Sequence, residues 1–184
     1  MTTSETISEL GRIARPQDVS AALERALAQC WAGVINGGGA VIPPECPPPP
    51  VTAPALAPAT ARIVQGLAPR RSNLLVATVG DSLAGWLVLT REAHPFEAHC
   101  GVVNHVQTHV DFRGRGIGAV LMRHAARVAR EDMGLERLKL SVRDGLGLDD
   151  FYRKAGWTEV GRWPEALRLG PGDDRDEILM ALAL

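Results

Sequence analysis

The sequence predicts an α+β fold in which helices flank a mixed, mostly antiparallel sheet, and three observations favour it. Residues 73–90 read as a β-hairpin that turns at Gly80-Asp81. Residues 100–110 read as a longer strand, and the helix after it runs from Gly116 to about Met133 with an apolar face. A strand at 138–142, a short helix and two final strands complete the order, which permits a mixed sheet.

Local signals define the first elements of the chain. Residues 7–13 are predicted to form a strand that Arg15-Pro16 closes. Asp18 is the expected N-cap of a helix over 19–35, whose apolar residues recur at helical spacing. Asn36 and the three glycines after it are expected to end that helix.

The segment 42–58 is dense in proline. Because proline lacks an N–H group and fixes φ, we expect an extended surface loop here, followed by a short helix over 58–67. The loop is interpreted either as a plain connection or as a lid over a substrate site, since long loops in compact domains are often functional. Residues 1–184 as a whole are expected to form a single domain.

The end of the chain combines an acidic segment with an apolar strand. Asp173–Glu177 is predicted to be a solvated turn; if it faced a binding cleft, it would favour a cationic ligand. The last strand, 177–184, is apolar on both faces from Ile178 onward, so we expect it to be covered on both sides.

Composition excludes several classes of function. The formal net charge of -1 gives no reason to expect a nucleic acid or an anionic membrane as partner. The cysteines, Cys30, Cys46 and Cys100, form no metal-binding or disulfide pattern and are predicted to be reduced thiols. Without a signal-like N-terminus or a long apolar run, a cytoplasmic location is expected. Abundant Arg and Ala with scarce Lys indicate the coding bias of a GC-rich bacterial genome.

The most informative segment, residues 106–122, is a strand, a glycine-rich turn and a helix. Gly114, Gly116 and Gly118 allow a sharp bend and a close approach to the backbone amides. The first N–H groups of the following helix point back at this turn, and Arg113 and Arg115 supply donors suited to phosphate oxygens. The segment therefore predicts a site for a phosphate-bearing cofactor.

Several nucleotide-binding families share such a turn. Gly114-x-Gly116-x-x-Ala119 satisfies a degenerate dinucleotide fingerprint, but Asp144 comes late for the ribose-binding acid. A Walker loop is excluded because no Gly-Lys-Ser/Thr follows. The remaining pattern, Arg113-x-x-Gly116-x-Gly118, resembles the acetyl-CoA pyrophosphate loop of the GCN5-related N-acetyltransferases.

A second motif supports this resemblance. Residues 148–157 are similar to the late signature of that superfamily, a short helix that carries Phe151-Tyr152 and ends at Gly156-Trp157. The two motifs cover the C-terminal half, whereas residues 27–41 show a faint similarity to tabtoxin-resistance-type acetyltransferases. The resemblance implies the N-acetyltransferase fold, acetyl-CoA as co-substrate and no metal.

The resemblance also implies roles for individual residues. In the family, backbone groups of the strand before the turn hold the pantetheine arm, the amides of the turn hold the pyrophosphate, and a tyrosine protonates the leaving sulfur. Tyr152 matches the tyrosine, and the Thr108 N–H matches the oxyanion donor. Val110 stands where the family usually has proline. The cofactor-binding positions implied are Val106, Gln107, Thr108, Arg113, Gly114, Arg115, Gly116, Ile117, Gly118 and Ala119.

The general base stays open at this point. Histidine near its ordinary pKa could accept the proton of an amine, and several candidates surround the turn. Residues at the start of the Cys100 strand are preferred, and His124 is interpreted as a core residue. The other candidates are His94, His99, His105, His109, Glu97, Asp144 and, for positioning a water, Asn104.

The predicted activity is transfer of the acetyl group of acetyl-CoA to a primary amine by direct attack in a ternary complex. The acceptor is expected to be a small molecule such as an amino acid, a polyamine or an antibiotic-like amine. The alternatives are a non-catalytic acyl-CoA-binding module on the same fold and an NAD(P)-binding oxidoreductase. A homodimer is expected by resemblance only.

Overall fold

The computed structural model describes residues 7–39 and 42–184, and this part of the chain contains seven strands and four α-helices. Short 3-10 turns lie at Pro16–Asp18, Pro95–Glu97 and Val110–Phe112, and a π-helical turn at Val128–Asp132. The elements are β1 (Glu9–Ile13), α1 (Ala21–Asn36), α2 (Ala53–Gln65), β2 (Ser72–Val79), β3 (Ser82–Arg91), β4 (Cys100–Thr108), α3 (Ile117–Arg127), β5 (Arg137–Arg143), α4 (Leu148–Lys154), β6 (Thr158–Gly170) and β7 (Asp173–Ala183).

The strands form one mixed sheet in the order β1-β2-β3-β4-β5-β7-β6. β1 pairs with β2, β2 with β3, and β7 with both β5 and β6, all antiparallel. β4 and β5 are parallel, with Cys100–Val102 opposite Arg137–Lys139. The predicted α+β class with a mixed, mostly antiparallel sheet is confirmed, as is the β2–β3 hairpin at Gly80-Asp81.

The chain folds into two compact units. The first comprises the chain up to Thr90 together with Asn104–Ala125, and the second comprises Arg91–Val103 and Ala126–Leu184. The expectation of a single domain stays a prediction. No helix in residues 7–39 and 42–184 is long and apolar enough to cross a bilayer.

The core of the first unit lies between α1, α2 and the strands β2 and β3. Its largest members, Leu27, Trp31, Leu56, Leu74 and Trp86, are at most 3% exposed. Burial of such side chains contributes about 1.5–3 kcal/mol each. The apolar residues whose spacing predicted α1 therefore form the buried face of this helix.

The predicted N-cap of α1 was wrong. Asp18 lies in a 3-10 turn, and the helix begins two residues later than expected, at Ala21. Ser20 is the cap, since its side chain accepts a hydrogen bond of 3.1 Å from the Leu23 N–H. Ser and Asp are both good N-cap residues. Asp18 does not cap the helix because it is the last residue of the 3-10 turn that begins at Pro16.

The prediction that 42–58 contains no helix was also wrong at its end. α2 begins at Ala53 and includes both Pro54 and Pro58. Pro54 lies in the first helical turn, where its missing N–H has no intrahelical partner to lose. Leu56, Ala59 and Val64 are buried along one face of α2, and this burial offsets the hydrogen bond that Pro58 cannot make.

The second unit contains a long β6–β7 hairpin that the sequence underestimated. The segment Asp173–Glu177 belongs to β7 and is no turn, because it pairs antiparallel with the second half of β6. Its carboxylates also form ion pairs, such as Asp174 with Arg168. The expectation of a final strand covered on both faces was wrong as well. Ile178 and Met180 are fully buried, but Leu179 between them is 45% exposed.

Candidate active site

In the first unit, β4 leads into the predicted glycine turn. The 3-10 turn Val110–Phe112 follows β4, with the His109 side chain accepting a hydrogen bond of 3.3 Å from the Asp111 N–H. Gly114 and Gly116 then adopt φ values of +76° and +78°. Residues other than glycine rarely adopt this left-handed conformation, so the turn requires glycine at both positions.

The space around this turn is open. A Cβ added at Gly114 or Gly116 would meet no described atom within 4 Å. α3 begins at Ile117, immediately after the turn, and its first N–H groups have no carbonyl of their own helix to bond. Exposed amides at the positive end of a helix fit a phosphate group. The turn therefore has the conformation and the accessibility that the cofactor prediction needs.

α3 is held tightly against the sheet below the turn. A Cβ added at Gly85 of β3 would lie 2.7 Å from the Gln107 carbonyl oxygen, 2.9 Å from Ile117 Cγ2 and 3.0 Å from Leu121 Cδ1. Ile117 and Leu121 are themselves at most 2% exposed. The absence of a side chain at Gly85 thus lets β4 and the first turn of α3 approach β3 closely.

The two arginines of the turn occupy different places. The Arg113 guanidinium lies beside Gly37 and Gly39 after the end of α1, where carbonyl dipoles favour a cation. The Arg115 guanidinium lies 5.2 Å from the centre of the Phe112 ring, in a cation–π contact. Both arginines are exposed. Their assignment to pyrophosphate oxygens stays a prediction.

The three β4 positions assigned to the pantetheine arm differ in burial. Val106 and Thr108 are half-buried, and Gln107 is 3% exposed. No described residue donates a hydrogen bond to the buried Gln107 Oε1. Buried polar atoms usually have a partner, so this oxygen is an unsatisfied acceptor inside the first unit. The assignment of the three β4 positions to the pantetheine arm stays a prediction.

His105, also on β4, has the most unusual backbone of the strand. Its φ is +53°, in a region that residues with a side chain seldom occupy. Its ring stacks on Trp86 at 5.7 Å and 16°, and meets Trp31 edge-on at 4.9 Å. Burial lowers the pKa of His105 below its ordinary 6.5. The imidazole is therefore neutral near pH 7.

His105 and Trp31 line a cavity of about 370 Å³ in the first unit. The cavity is mainly apolar, and its charged groups, Glu45 and Arg62, form an ion pair with each other. The other lining residues are Ile42, Pro43, Pro44, Ala59 and Ile63.

One wall of this cavity is the proline-rich segment, which is anchored to α1. The Asn36 side chain accepts from the Val51 N–H at 2.8 Å and donates to the Val51 carbonyl oxygen at 2.9 Å. The sequence did not bring these residues together, because Trp31 fitted the apolar face of a helix and His105 was one of several histidines. The interpretation of the segment as a lid stays a prediction.

Tyr152 lies in the second unit, on α4. The helix starts after Gly147 and ends before Gly156, which has a φ of +90° and so confirms the predicted left-handed end. Tyr152 is 6% exposed and packs against Phe151 and Trp157, with ring centres 5.0 Å and 6.0 Å away. Burial raises the pKa of its phenol to about 12. The hydroxyl therefore keeps its proton at any physiological pH.

Two further predictions concern single side chains. His124 is 6% exposed on the inner face of α3, which confirms its interpretation as a core residue. Cys30, Cys46 and Cys100 are free thiols, as expected.

A comparison with protein families identifies the class. Residues 44–157, more than half of the chain, match the Acetyltransferase (GNAT) family. The chain belongs to this family and is an acyltransferase. The resemblance based on the glycine turn and on the Phe151-Tyr152 motif is thereby confirmed, and both motifs lie within the matched residues.

Similarity to curated proteins is partial. A stretch of 76 residues is 32% identical to the tRNA uridine(34) acetyltransferase of Methanocaldococcus infernus, covering 41% of this chain and 14% of that protein. A stretch of 73 residues is 38% identical to the Elongator complex protein 3 of Dictyostelium discoideum, covering 40% of this chain and 12% of that protein. The chain thus spans less than a sixth of the length of either relative.

Similarity to solved structures extends over nearly the whole chain. The GNAT acetyltransferase from Streptococcus pneumoniae matches with a TM-score of 0.68 and 18% identity, covering 96% of this chain and all of that one. The ribosomal-protein-alanine N-acetyltransferase from Brucella melitensis matches with a TM-score of 0.70 and 18% identity, covering 96% of this chain and 99% of that one. A Salmonella typhimurium protein solved with its cofactor acetyl-CoA matches with a TM-score of 0.70 and 15% identity, covering 96% of this chain and 95% of that one. These likenesses establish the fold.

Proposed function

We propose that this protein transfers the acetyl group of acetyl-CoA to a primary amine of a small molecule, in a ternary complex of enzyme, acetyl-CoA and amine. The observation that carries the proposal is the glycine turn between β4 and α3, with two left-handed glycines and open space beside them within the family-matched residues. Acetyl-CoA bound to a structural neighbour supports the choice of co-substrate.

The residues present fit acetyl-CoA. The amides from Arg113 to Ala119 would hold the pyrophosphate, because the turn lies at the positive end of α3 and the space beside Gly114 and Gly116 is open. The backbone of Val106, Gln107 and Thr108 would hold the pantetheine arm.

In the proposed reaction, the amine nitrogen attacks the thioester carbonyl carbon, forming the N–C bond while the C–S bond breaks. The Thr108 N–H would stabilise the negative charge that develops on the carbonyl oxygen. Tyr152 would donate its proton to the departing sulfur, the amine would lose one proton to solvent, and solvent would return a proton to Tyr152, so the products are the amide and the free CoA thiol. A phenol with a pKa near 12 is fully protonated and can act as this acid.

We further propose a small-molecule acceptor and no role for nucleic acid or membrane. The relatives with tRNA and Elongator names match through less than half of this chain. A formal net charge of -1 does not favour binding to RNA or to an anionic bilayer. Three free cysteines, one with a thiol pKa raised to about 12 by burial, fit a reducing compartment, and we therefore propose the cytoplasm.

Titration calorimetry with acetyl-CoA tests the first step, with NADH and ATP as controls. Micromolar affinity for acetyl-CoA, about 8 kcal/mol, together with thiol release on a panel of primary amines, is the expected result. Failure to bind acetyl-CoA would refute the assignment of the glycine turn. Binding without turnover on any amine would favour a non-catalytic acyl-CoA-binding module.

Tyr152→Phe tests the acid. The variant should bind acetyl-CoA as the wild type does but lose about 100-fold or more in kcat, the usual contribution of a positioned acid. Trp163→Phe removes polarity from an exposed aromatic residue of the same unit and serves as the control. Equal kcat for Tyr152→Phe and wild type would contradict the role.

A further inference from the structure

His105 combines three properties within the first unit. Its backbone is held in the left-handed region, its ring is fixed between two indoles, and it lines the cavity described above. Strained backbone persists where the surroundings over-determine it, and it clusters at active sites. Here the contacts with Trp31 and Trp86 hold His105 in place, since its ring has one aromatic neighbour on its face and another at its edge.

The chemistry of the ring follows from its surroundings. Neither Trp31 nor Trp86 carries a charge, and the titratable groups that line the cavity beside His105 are Glu45 and Arg62. Those two neutralise each other as an ion pair. Burial then decides the pKa of His105, lowering it, so the ring is an unprotonated base at neutral pH.

The cavity itself indicates what kind of molecule would meet this base. Its volume of about 370 Å³ lies in the range of small-molecule sites, and apolar and proline side chains make up most of its lining. A molecule with several positive charges would find one carboxylate here, already paired with Arg62. An amine on an apolar or aromatic body suits the lining better.

The position of His105 along β4 connects the cavity to the proposed chemistry. It precedes Thr108 by three residues on the same strand, and the left-handed backbone at His105 makes the separation shorter than that of extended chain. A general base must reach the attacking nitrogen directly or through one water. We therefore place the amine nitrogen between the cavity side of β4 and the Thr108 N–H, with its proton passing to His105 directly or through one water.

We propose that this cavity is the acceptor site, that it takes a primary amine carried on an apolar or aromatic body, and that His105 accepts the amine's proton. The inference rests on the proposed acetyl transfer. As the N–C bond forms, the nitrogen gains positive charge and its proton passes to a ring nitrogen of His105. The thiolate leaves with the proton of Tyr152, and solvent then takes the proton from the imidazolium and restores that of the phenol.

The test compares His105→Asn with the wild type, using phenethylamine as the probe amine. Asparagine tolerates the left-handed backbone better than most residues, so the substitution removes the base with little added strain. Arg130→Asn is the control, because Arg130 is exposed in the π-helical turn Val128–Asp132 and has no assigned role in binding or catalysis. Acetyl-CoA affinity, measured by calorimetry, should be equal in all three proteins.

The expected loss of kcat/KM in His105→Asn is about 100-fold or more at pH 8. The ratio of wild-type to variant kcat/KM should shrink towards one as the pH falls through a value below 6.5, because the wild-type imidazole then becomes protonated. The ionisation of phenethylamine affects both proteins equally and cancels in this ratio. A ratio near one at pH 8, or one independent of pH, would overturn the role of His105.

A second variant tests the cavity without touching the base. Ile63→Phe enlarges a lining side chain and should raise KM for phenethylamine about tenfold or more, with the affinity for acetyl-CoA unchanged. The wild type should also prefer phenethylamine over putrescine, which carries two charges. Unchanged KM in Ile63→Phe, or a preference for putrescine, would overturn the acceptor assignment. If no amine is acetylated although acetyl-CoA binds, the proposed function itself fails.

Discussion

Gly85→Ala should distort the first unit where β3, β4 and α3 meet. The new Cβ would lie 2.7 Å from the Gln107 carbonyl oxygen and 2.9 Å and 3.0 Å from side-chain carbons of Ile117 and Leu121. The three distances are about 0.4–0.7 Å shorter than 3.4 Å, where ordinary van der Waals contact begins. The carbonyl belongs to a strand and cannot rotate away, so the backbone of β4 or the start of α3 must move.

Overpacking of this kind typically costs about 1–3 kcal/mol. For a chain of this length each kcal/mol lowers Tm by about 2–4 °C, so we expect Tm to fall by about 2–12 °C. Because Ile117 is the first residue of α3, its displacement also moves the glycine turn. We expect acetyl-CoA to bind at least tenfold more weakly, a loss of about 1.4 kcal/mol.

Calorimetric titration with acetyl-CoA and thermal unfolding measure the two effects. Gly170→Ala is the matched control, since it adds the same methyl group in β6, where a Cβ would meet no described atom within 4 Å. A Gly85→Ala protein with the Tm and the affinity of the Gly170→Ala protein would show that β4 and α3 do not approach β3 as closely as described.

Two further substitutions test the packing of α1 and the charges of β6. Gly33→Ala places a Cβ 3.7 Å from the Val110 side chain, an ordinary contact, and should stabilise the helix by about 0.5–1 kcal/mol, seen as a higher Tm; a lower Tm would contradict this packing. Arg162 holds the pKa of Glu159 below its usual 4.5. The ion pair therefore stabilises the fold fully above pH 4.5, and this stabilisation is lost as the pH falls through the lowered pKa of Glu159. Arg162→Ala, which also loses the ion pairs with Asp144 and Asp176, should be less stable to urea than the wild type at pH 7, and the difference should shrink as the pH falls below 4.5, with the exposed Arg130→Ala as control; a pH-independent difference would argue against the pair.

The sequence predicted the elements whose signals are local. The hairpin at Gly80-Asp81, the glycine turn and the left-handed end of α4 at Gly156 all depend on residues that favour one backbone conformation. α2 was partly missed because Pro54 and Pro58 disfavour a helix locally, whereas the burial of the α2 face is a property of the folded chain.

The site was predictable to a similar degree. The turn was found because Gly114 and Gly116 stand in a recognisable pattern, and their left-handed conformation agrees with it. The cavity was not found, because Trp31 and His105 are far apart in sequence and nothing local marks a histidine for a positive φ. Both the cavity and the backbone conformation of His105 depend on contacts between segments that are distant in the sequence.

The irregular pairing of β6 has a consequence for assembly. β6 is the last strand of the sheet, and its register with β7 shifts at three places, one of them next to Pro164. Glu165 takes a φ of +53° there, and its N–H bonds to the Asp176 side chain at 3.0 Å. A strand interrupted in this way is a poor template for a strand of another molecule. A homodimer of this protein would therefore not form by pairing one β6 strand with another, and sheet growth from chain to chain should not start at this edge.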